Sequence, residues 1–186
     1  MAEPLLYTRK ASYQMRQGTF CFITDDFFTR YNSDGHLMKN KEGHHNRPCF
    51  YAFPDNAEPN IYWCIPISSR TEKYEQIAEN KVAKQIEKGY KTPKCNTIRF
   101  GEVLGQKRAF LIQNMFPVTA KYISNVYIDK NTQSPVTIPP VTEKDIVKNA
   151  KDILKLVFRG YSNLVFSDIR KIYADLTEEL HDPAAV

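Results

Sequence analysis

Long apolar runs are missing from this sequence, and Pro66 interrupts the longest one that it has. A membrane-spanning helix needs about 20 consecutive apolar residues, so the sequence predicts no membrane span. Residues 1–17 also lack the apolar core of a signal peptide, and nothing in them points to secretion. The sequence therefore predicts a cytoplasmic protein with no membrane partner.

Cysteine and histidine are also scarce, with four of each among 186 residues. The cysteines form no CxxC pair and stand far apart, at Cys21, Cys49, Cys64 and Cys95. The first three lie in strand-like apolar runs, which favours buried, reduced thiols over a zinc site. His44 and His45 are adjacent, but no HExxH or similar ligand spacing occurs. The sequence predicts neither a metal ion nor a cofactor.

The composition is that of a folded protein, with 42% hydrophobic and 12% aromatic residues. A chain of this length favours one domain around a single core. We expect that domain at residues 18–180, after a polar extension over residues 1–17. The net charge of +5 says little alone, because the position of the positive charge decides what it can bind.

Short, aromatic strands alternate irregularly with helices along the chain. The predicted strands cover 18–23, 47–53 and 61–67, followed by a hairpin around Gly105 and a strand over 110–118. The predicted helices cover 24–31, 70–88, 142–160 and 167–180. Because no βαβ unit repeats, we expect an α+β fold with a small antiparallel sheet or barrel.

The junction between the strand 61–67 and the next helix carries four polar side chains: Ser68, Ser69, Arg70 and Lys73. One interpretation is a capping box, in which Ser69 and Glu72 each bond a free amide of the first turn. The other is a phosphate site, since a helix start offers free amides and partial positive charge. Arg70 and Lys73 would add charge there, and the two interpretations are compatible.

A stripe of lysines follows the junction, at Lys81, Lys84, Lys88, Lys91 and Lys94. Their spacing predicts one helical face, which is either a solvated surface or a track for a nucleic-acid backbone. Tyr74 could stack on a base, although an aromatic residue at helical spacing is more often part of a core. Gln113 lies in an apolar run, where a buried amide usually bonds the backbone; reading a base is the alternative.

His45 and Arg47 directly precede the second strand. If that strand forms a hairpin with the third, both residues come close to Ser68 and Ser69. An imidazole, a guanidinium and hydroxyl groups together can cleave RNA without a metal ion, with His45 transferring a proton and Arg47 positioning the phosphate. The alternative for the histidine pair is a surface loop without a function.

The order of these segments resembles the toxins of type III toxin–antitoxin systems, the ToxN, AbiQ, CptN and TenpN group. The resemblance rests on FCFI, DDFFTRY, NRPCFYAF, YWCIPISSR and FLIQNMFPV, in this order, and covers residues 18–175. It is strongest to the CptN and TenpN branch. It implies a small barrel-like sheet surrounded by helices, related to the Kid- and MazF-type messenger-RNA interferases.

The resemblance further implies a metal-independent, sequence-specific endoribonuclease that leaves 2′,3′-cyclic phosphate and 5′-hydroxyl ends. It implies phage defence, and inhibition by a small repeated antitoxin RNA that the toxin processes and holds in a closed protein–RNA assembly. The hydroxyl pair of the group falls on Ser68 and Ser69. Thr71 replaces the lysine that follows them, so Arg70 or Lys73 would supply that charge, and an early tyrosine falls on Phe27. The alternative function is a non-catalytic RNA-binding protein that uses the same basic face.

Overall fold

The fold is seen in a computed structural model that describes residues 16–38, 40 and 47–182. The strands are β1 Phe20–Ile23, β2 Pro48–Pro54, β3 Ile61–Ser68, β4 Arg99–Val103, β5 Gln106–Phe110, β6 Phe116–Thr119 and β7 Ile123–Val126. The helices are α1 Asp25–Tyr31, α2 Thr71–Glu87, α3 Pro140–Phe158 and α4 Ile169–His181. Short 3-10 turns cover Ile112–Asn114, Ala120–Tyr122 and Ser162–Leu164.

The seven strands form one antiparallel sheet in the order β4-β5-β3-β2-β1-β7, with β6 also paired to β3. The predicted α+β class is confirmed. The sheet is open: in the described part of the chain, β4 and β7 are its two ends, so it does not close into a barrel. β3 is the central strand, because β2 pairs along one side of it and β6 and β5 share the other.

Residues 110–118 do not form the single strand that the sequence predicts. β6 pairs with β3 as far as Cys64, β5 pairs with it from Ile67, and a 3-10 turn separates the two strands. Pro66 stands opposite this break and has no N–H to donate to a ladder, which explains why the pairing is interrupted there. The Leu111 amide still donates to the Pro66 carbonyl at 3.0 Å, so the turn stays attached to β3.

Apolar side chains fill both faces of the sheet. One cluster packs Phe50, Trp63 and Phe110 against Ile146 and Val157 of α3. The other cluster includes the side chains of α1 and α4 that face the sheet and is made of Cys21, Ile23, Phe27, Cys64, Phe116, Ile172, Leu176 and their neighbours. The predicted reduced thiols are confirmed at the three strand positions, where the cysteines are free and buried.

The helix ends differ from the predicted ones by one or two residues. α3 begins at Pro140 rather than at Thr142, because proline is well suited to the first turn of a helix. α4 begins after Asp168, whose carboxylate accepts the Lys171 amide at 3.1 Å. α2 lies at the periphery: none of its residues is buried, and Ile86 is 60% exposed.

The β4–β5 hairpin brings the tip of the sheet to α3. Leu104 and Gly105 both have positive φ, as a two-residue hairpin turn of type I′ requires, and the predicted hairpin is confirmed. Gly101 lies so close to α3 that an added Cβ would be 2.6 Å from Cγ2 of Thr142. Arg99 also pairs with Asp145 of α3 at 2.7 Å.

Candidate functional site

A groove of about 510 Å³ opens where β3 ends and α2 begins. Three arginines line it, and we call it the arginine groove after Arg47, Arg70 and Arg108. Hydroxyl, amide and aromatic groups complete its polar lining: Ser68, Ser69, Gln106, Tyr74 and Tyr127. No carboxylate and no imidazole is among the described lining residues, so an anion would meet only positive and neutral groups.

The β2–β3 hairpin brings Arg47 to the serine pair, as the sequence predicts. Cys49 of β2 stands opposite Pro66 of β3, so the residue before β2 meets the end of β3. Nη1 of Arg47 donates to the Ile67 carbonyl at 3.1 Å. His45, the predicted proton-transfer residue, lies outside the described residues, and its role stays a prediction.

Arg47 also has a donor that the described part of the chain does not satisfy. Its Nε atom is buried and has no hydrogen-bond partner among the described residues. An unpaired buried donor costs about 1–3 kcal/mol, and more when the group is charged. A guanidinium that lines a groove suits an anion such as a phosphate, which accepts from the planar fork of arginine.

The predicted capping box is wrong. α2 begins at Thr71, its N-cap residue is Arg70, and no side chain in the described part makes a capping bond to it. The Ser68 hydroxyl, which is 7% exposed, instead accepts the Arg70 amide at 3.2 Å. Ser69 is exposed and lies two residues before the first residue of the helix, where its hydroxyl can meet a ligand. The start of α2 therefore lies beside the groove with no side-chain capping bond from the described residues.

Arg70 and Arg108 are on opposite sides of the serines. Arg70 forms no ion pair among the described residues. Arg108 of β5 donates to the Gln106 side chain and to the Lys107 carbonyl at 3.3 Å. Lys73 is exposed, its ammonium lies 5.8 Å from the centre of the Tyr74 ring, and it is not part of the groove lining.

Sequence reasoning missed Arg108, Gln106 and Tyr127. Arg108 and Gln106 reach the groove because Ala109 of β5 pairs with Ser68 of β3, which is a long-range pairing. Locally, the segment 106–108 has the polar composition of an ordinary exposed hairpin, and no nearby signal singles out its arginine. The connection of Tyr127 to β1, where its amide donates to the Phe20 carbonyl at 2.7 Å, is equally non-local.

The lysine stripe divides into two parts. Lys81 is half-buried, and its ammonium donates to Thr97 at 2.8 Å and to Gln113 at 2.6 Å. Burial lowers the pKa of Lys81. Gln113 is 3% exposed and lies in the 3-10 turn, where its main-chain amide donates to the Thr97 carbonyl at 3.0 Å. In this structure both residues hold α2 against the sheet. Their predicted contact with RNA would require the hydrogen bond between the Lys81 ammonium and the Gln113 side chain to break.

The other four lysines are exposed: Lys84, Lys88, Lys91 and Lys94. They do not share a helical face, because α2 ends at Glu87 and Gly89 turns the chain with positive φ. The segment after the turn folds back along the helix, where Gln85 bonds both the amide and the carbonyl of Lys94, at 2.9 and 3.0 Å. The four ammonium groups are thus gathered around the end of α2.

The described residues contain neither a candidate metal site nor a candidate membrane-spanning helix. There, no group of three or more His, Cys, Asp or Glu side chains is placed to hold a metal ion. Within the same residues, no helix is long and apolar enough to cross a membrane.

Comparison with known proteins gives likeness of structure alone. No protein-family model matches the sequence, and no curated protein matches it. The structure is similar to that of AbiQ, a lactococcal anti-phage endoribonuclease belonging to the type III toxin–antitoxin system. The TM-score is 0.63 at 12% identity, over 88% of this chain and 98% of AbiQ. The protein thus has the α+β fold of AbiQ. The expected antiparallel sheet surrounded by helices is confirmed, and the sheet is open.

A second similar structure comes from work on bacterial type III toxin–antitoxin systems, with selective toxin inhibition by a non-coding RNA pseudoknot. The identity is 19%, over 87% of this chain and 81% of the other, but the TM-score is only 0.42. The closer resemblance to the CptN and TenpN branch stays a prediction.

Proposed function

We propose that this protein is an endoribonuclease toxin of a type III toxin–antitoxin system, acting without a metal ion on specific RNA sequences. The arginine groove is the observation that carries the proposal, because three guanidiniums, two serines and a helix start without a side-chain cap line one groove. The fold that the chain shares with AbiQ, which is described as an anti-phage endoribonuclease, supports the same assignment.

In the proposed reaction, the groove binds the phosphate between two nucleotides. The ribose 2′-oxygen attacks the phosphorus, the bond to the 5′-oxygen breaks, and 2′,3′-cyclic phosphate and 5′-hydroxyl ends result. Arg47 and Arg70 stabilise the additional negative charge of the phosphorane, and Ser69 donates a hydrogen bond to one of its oxygens. Ser68 orients the start of α2 through its bond with the Arg70 amide.

Two protons must move in this reaction. A base takes the proton of the 2′-hydroxyl, and an acid protonates the leaving 5′-oxygen. His45 stays our candidate for proton transfer, because imidazole titrates near neutral pH. Lys73, exposed beside Tyr74, is the alternative to Arg70 as the cation that stabilises the transition state.

The proposed partners are the target RNA and a small repeated antitoxin RNA, which the toxin processes and holds in a closed assembly. The exposed lysines around the end of α2 would bind phosphates of either RNA, and Tyr74 of the groove would stack on a base. The expected setting is the cytoplasm, where the antitoxin RNA and the target RNA are both present.

A non-catalytic RNA-binding protein is the second candidate. It is favoured by the absence of an imidazole and a carboxylate among the described residues of the groove. Such a protein would use the same guanidiniums to bind RNA and would leave it intact.

The test is cleavage of a mixed RNA in excess EDTA by the wild type and by Ser69→Ala, with mapping of the 3′ ends. Because Ser69 makes no capping bond, the substitution should change the free energy of unfolding by less than about 0.5 kcal/mol. We expect cyclic ends from the wild type alone.

Two other results would overturn parts of this assignment. Cleavage by Ser69→Ala at the wild-type rate would remove Ser69 from the site. Tight RNA binding by both proteins without cleavage would favour the RNA-binding protein.

A further inference from the structure

The outer face of α3 carries four lysines: Lys144, Lys148, Lys151 and Lys155. Their spacing of four, three and four residues places them in one row, and the buried residues of the helix occupy the opposite side. All four are exposed, and they line a shallow groove of about 540 Å³. From the first lysine to the last, the row is about 16 Å long.

The acidic residues of α3 neutralise this row only in part: Asp152 lies 4.0 Å from the Lys155 ammonium, and Glu143 and Asp152 line the same groove as the four lysines. Asp145 is paired with Arg99 at 2.7 Å, and Glu143 accepts a hydrogen bond from Gln17 at 3.3 Å. Lys144 and Lys148 have no ion-pair partner among the described residues. Four lysines against two acidic residues still leave the groove with a net positive charge, which complements a polyanion.

Aromatic rings stand exposed just beyond the end of this row. Phe158, Tyr161 and Phe166 have 44%, 59% and 54% of their surface exposed. The Phe158 ring packs edge-on against Trp63 and Tyr173, with centroids 6.3 and 5.6 Å apart, so Tyr161 and Phe166 are the rings better placed to stack on a base. Phe158 and Phe166 line a second groove, of about 840 Å³, together with Arg170. Lys155 lies one helical turn before Phe158, so the basic row and the rings adjoin.

We propose that α3 and the turn after it form a binding surface for single-stranded RNA, separate from the arginine groove. The lysine row would bind the phosphates, and the exposed rings would stack on unpaired bases. Bases inside an A-form duplex are already stacked and are out of reach of such rings, so the surface should prefer single strands. This inference rests on the proposed function, which makes RNA the ligand. It adds a second contact that would hold a long RNA while one of its phosphates lies in the groove.

The test measures binding rather than cleavage. The probe is a fluorescent single-stranded 12-mer with 2′-O-methyl riboses, which cannot undergo attack by a 2′-hydroxyl. Its affinity is measured by anisotropy over a series of salt concentrations. Lys148→Gln should reduce the steepness of the logarithmic salt dependence by about 0.7, the value for one phosphate contact on a single strand. Lys148→Arg keeps the charge and should behave like the wild type.

The rings have their own matched pair. Tyr161→Ala should weaken binding about tenfold, whereas Tyr161→Phe keeps the ring and should bind like the wild type. A 4-thiouridine probe of the same length should crosslink to residues 158–166. The wild-type protein should bind the duplex form of the probe more weakly than the single strand. Tyr161→Ala should leave the affinity for the duplex unchanged.

Failure here and failure of the proposed function give different results. If Lys148→Gln and Tyr161→Ala bind the 12-mer like the wild type while RNA is still cleaved, the α3 surface is not an RNA contact and the nuclease stands. If both variants lose affinity but no protein cleaves RNA, the α3 surface stands and the nuclease does not. A dimer in sedimentation that Phe166→Ala dissociates, with RNA affinity unchanged, would make this surface a contact between two copies of the chain.

Discussion

Replacing Arg47 by Met should remove most of the proposed cleavage and leave the free energy of unfolding almost unchanged. The guanidinium makes one hydrogen bond to the main chain, from Nη1 to the Ile67 carbonyl, and such a bond from a charged group contributes about 1.5–3 kcal/mol. The unpaired, buried Nε costs about 1–3 kcal/mol, and Met removes this cost together with the bond. The aliphatic stem is retained, so the net change should be about 1 kcal/mol or less.

The effect on the reaction should be much larger. Loss of one group that stabilises the developing charge of a transition state typically lowers the rate by about 10²–10³, equivalent to about 2.7–4 kcal/mol. Arg47→Lys is the matched control, since it keeps the charge but loses the planar fork. It should bind RNA nearly as well as the wild type and still lose most of the cleavage rate.

Two measurements decide the outcome for Arg47. Single-turnover cleavage of an oligoribonucleotide in EDTA gives the rate, and urea unfolding followed by the fluorescence of Trp63, the single tryptophan, gives the stability. Cleavage by Arg47→Met within tenfold of the wild-type rate would refute the role in the reaction. A stability loss above about 3 kcal/mol would show that Arg47 is mainly structural and that its open donor has no functional meaning.

Two further predictions concern stability. Asp55 accepts bonds from Trp63 at 3.0 Å and Tyr173 at 2.9 Å; burial opposes its charge, but these bonds outweigh it and hold its pKa below the ordinary value. Asp55→Asn should therefore lower the free energy of unfolding in urea by about 2–3 kcal/mol at pH 7. This difference should shrink as the pH falls below about 4, where the native carboxylate itself becomes protonated. A difference that persists at about pH 2 would contradict the reasoning. Gly101→Ala should cost about 1–3 kcal/mol, because the added Cβ would lie 2.6 Å from Cγ2 of Thr142 and 3.2 Å from the Phe110 ring. Adding Thr142→Ser, which removes the closer methyl group, should restore part of this loss. Thermal unfolding measures both variants, and a loss that Thr142→Ser does not reduce would contradict the role of the methyl group.

Local patterns predicted the elements whose structure depends on near neighbours in sequence. The β4–β5 hairpin follows from a two-residue turn ending in Gly105. The inward side of α3 follows from helical spacing, and Ile146, Ala150 and Val157 are buried as predicted. The meeting of Arg47 with the serine pair was also predictable, since a hairpin joins the start of one strand to the end of the next.

Long-range contacts could not be predicted in this way. Arg108 enters the groove only because β5, more than 35 residues after β3 begins, pairs with its last residues. Lys81 and Lys84 belong to the same predicted stripe, yet the Lys81 ammonium bonds Gln113 and Lys84 is exposed. The rotation of the helix about its axis decides which lysine of the stripe contacts the sheet. This rotation cannot be read from the spacing of the lysines.

The wrong capping prediction is itself informative about the site. Ser69 and Glu72 have the spacing of a capping box, and forming it would stabilise the start of α2 by about 1 kcal/mol. The chain instead begins the helix at Thr71 and leaves Ser69 outside it, facing the groove that Arg47 and Arg70 line. A departure from the locally favoured structure is expected where a function needs the groups that the local structure would have used. Here those groups are a hydroxyl and the positive end of a helix, which are what a bound phosphate requires.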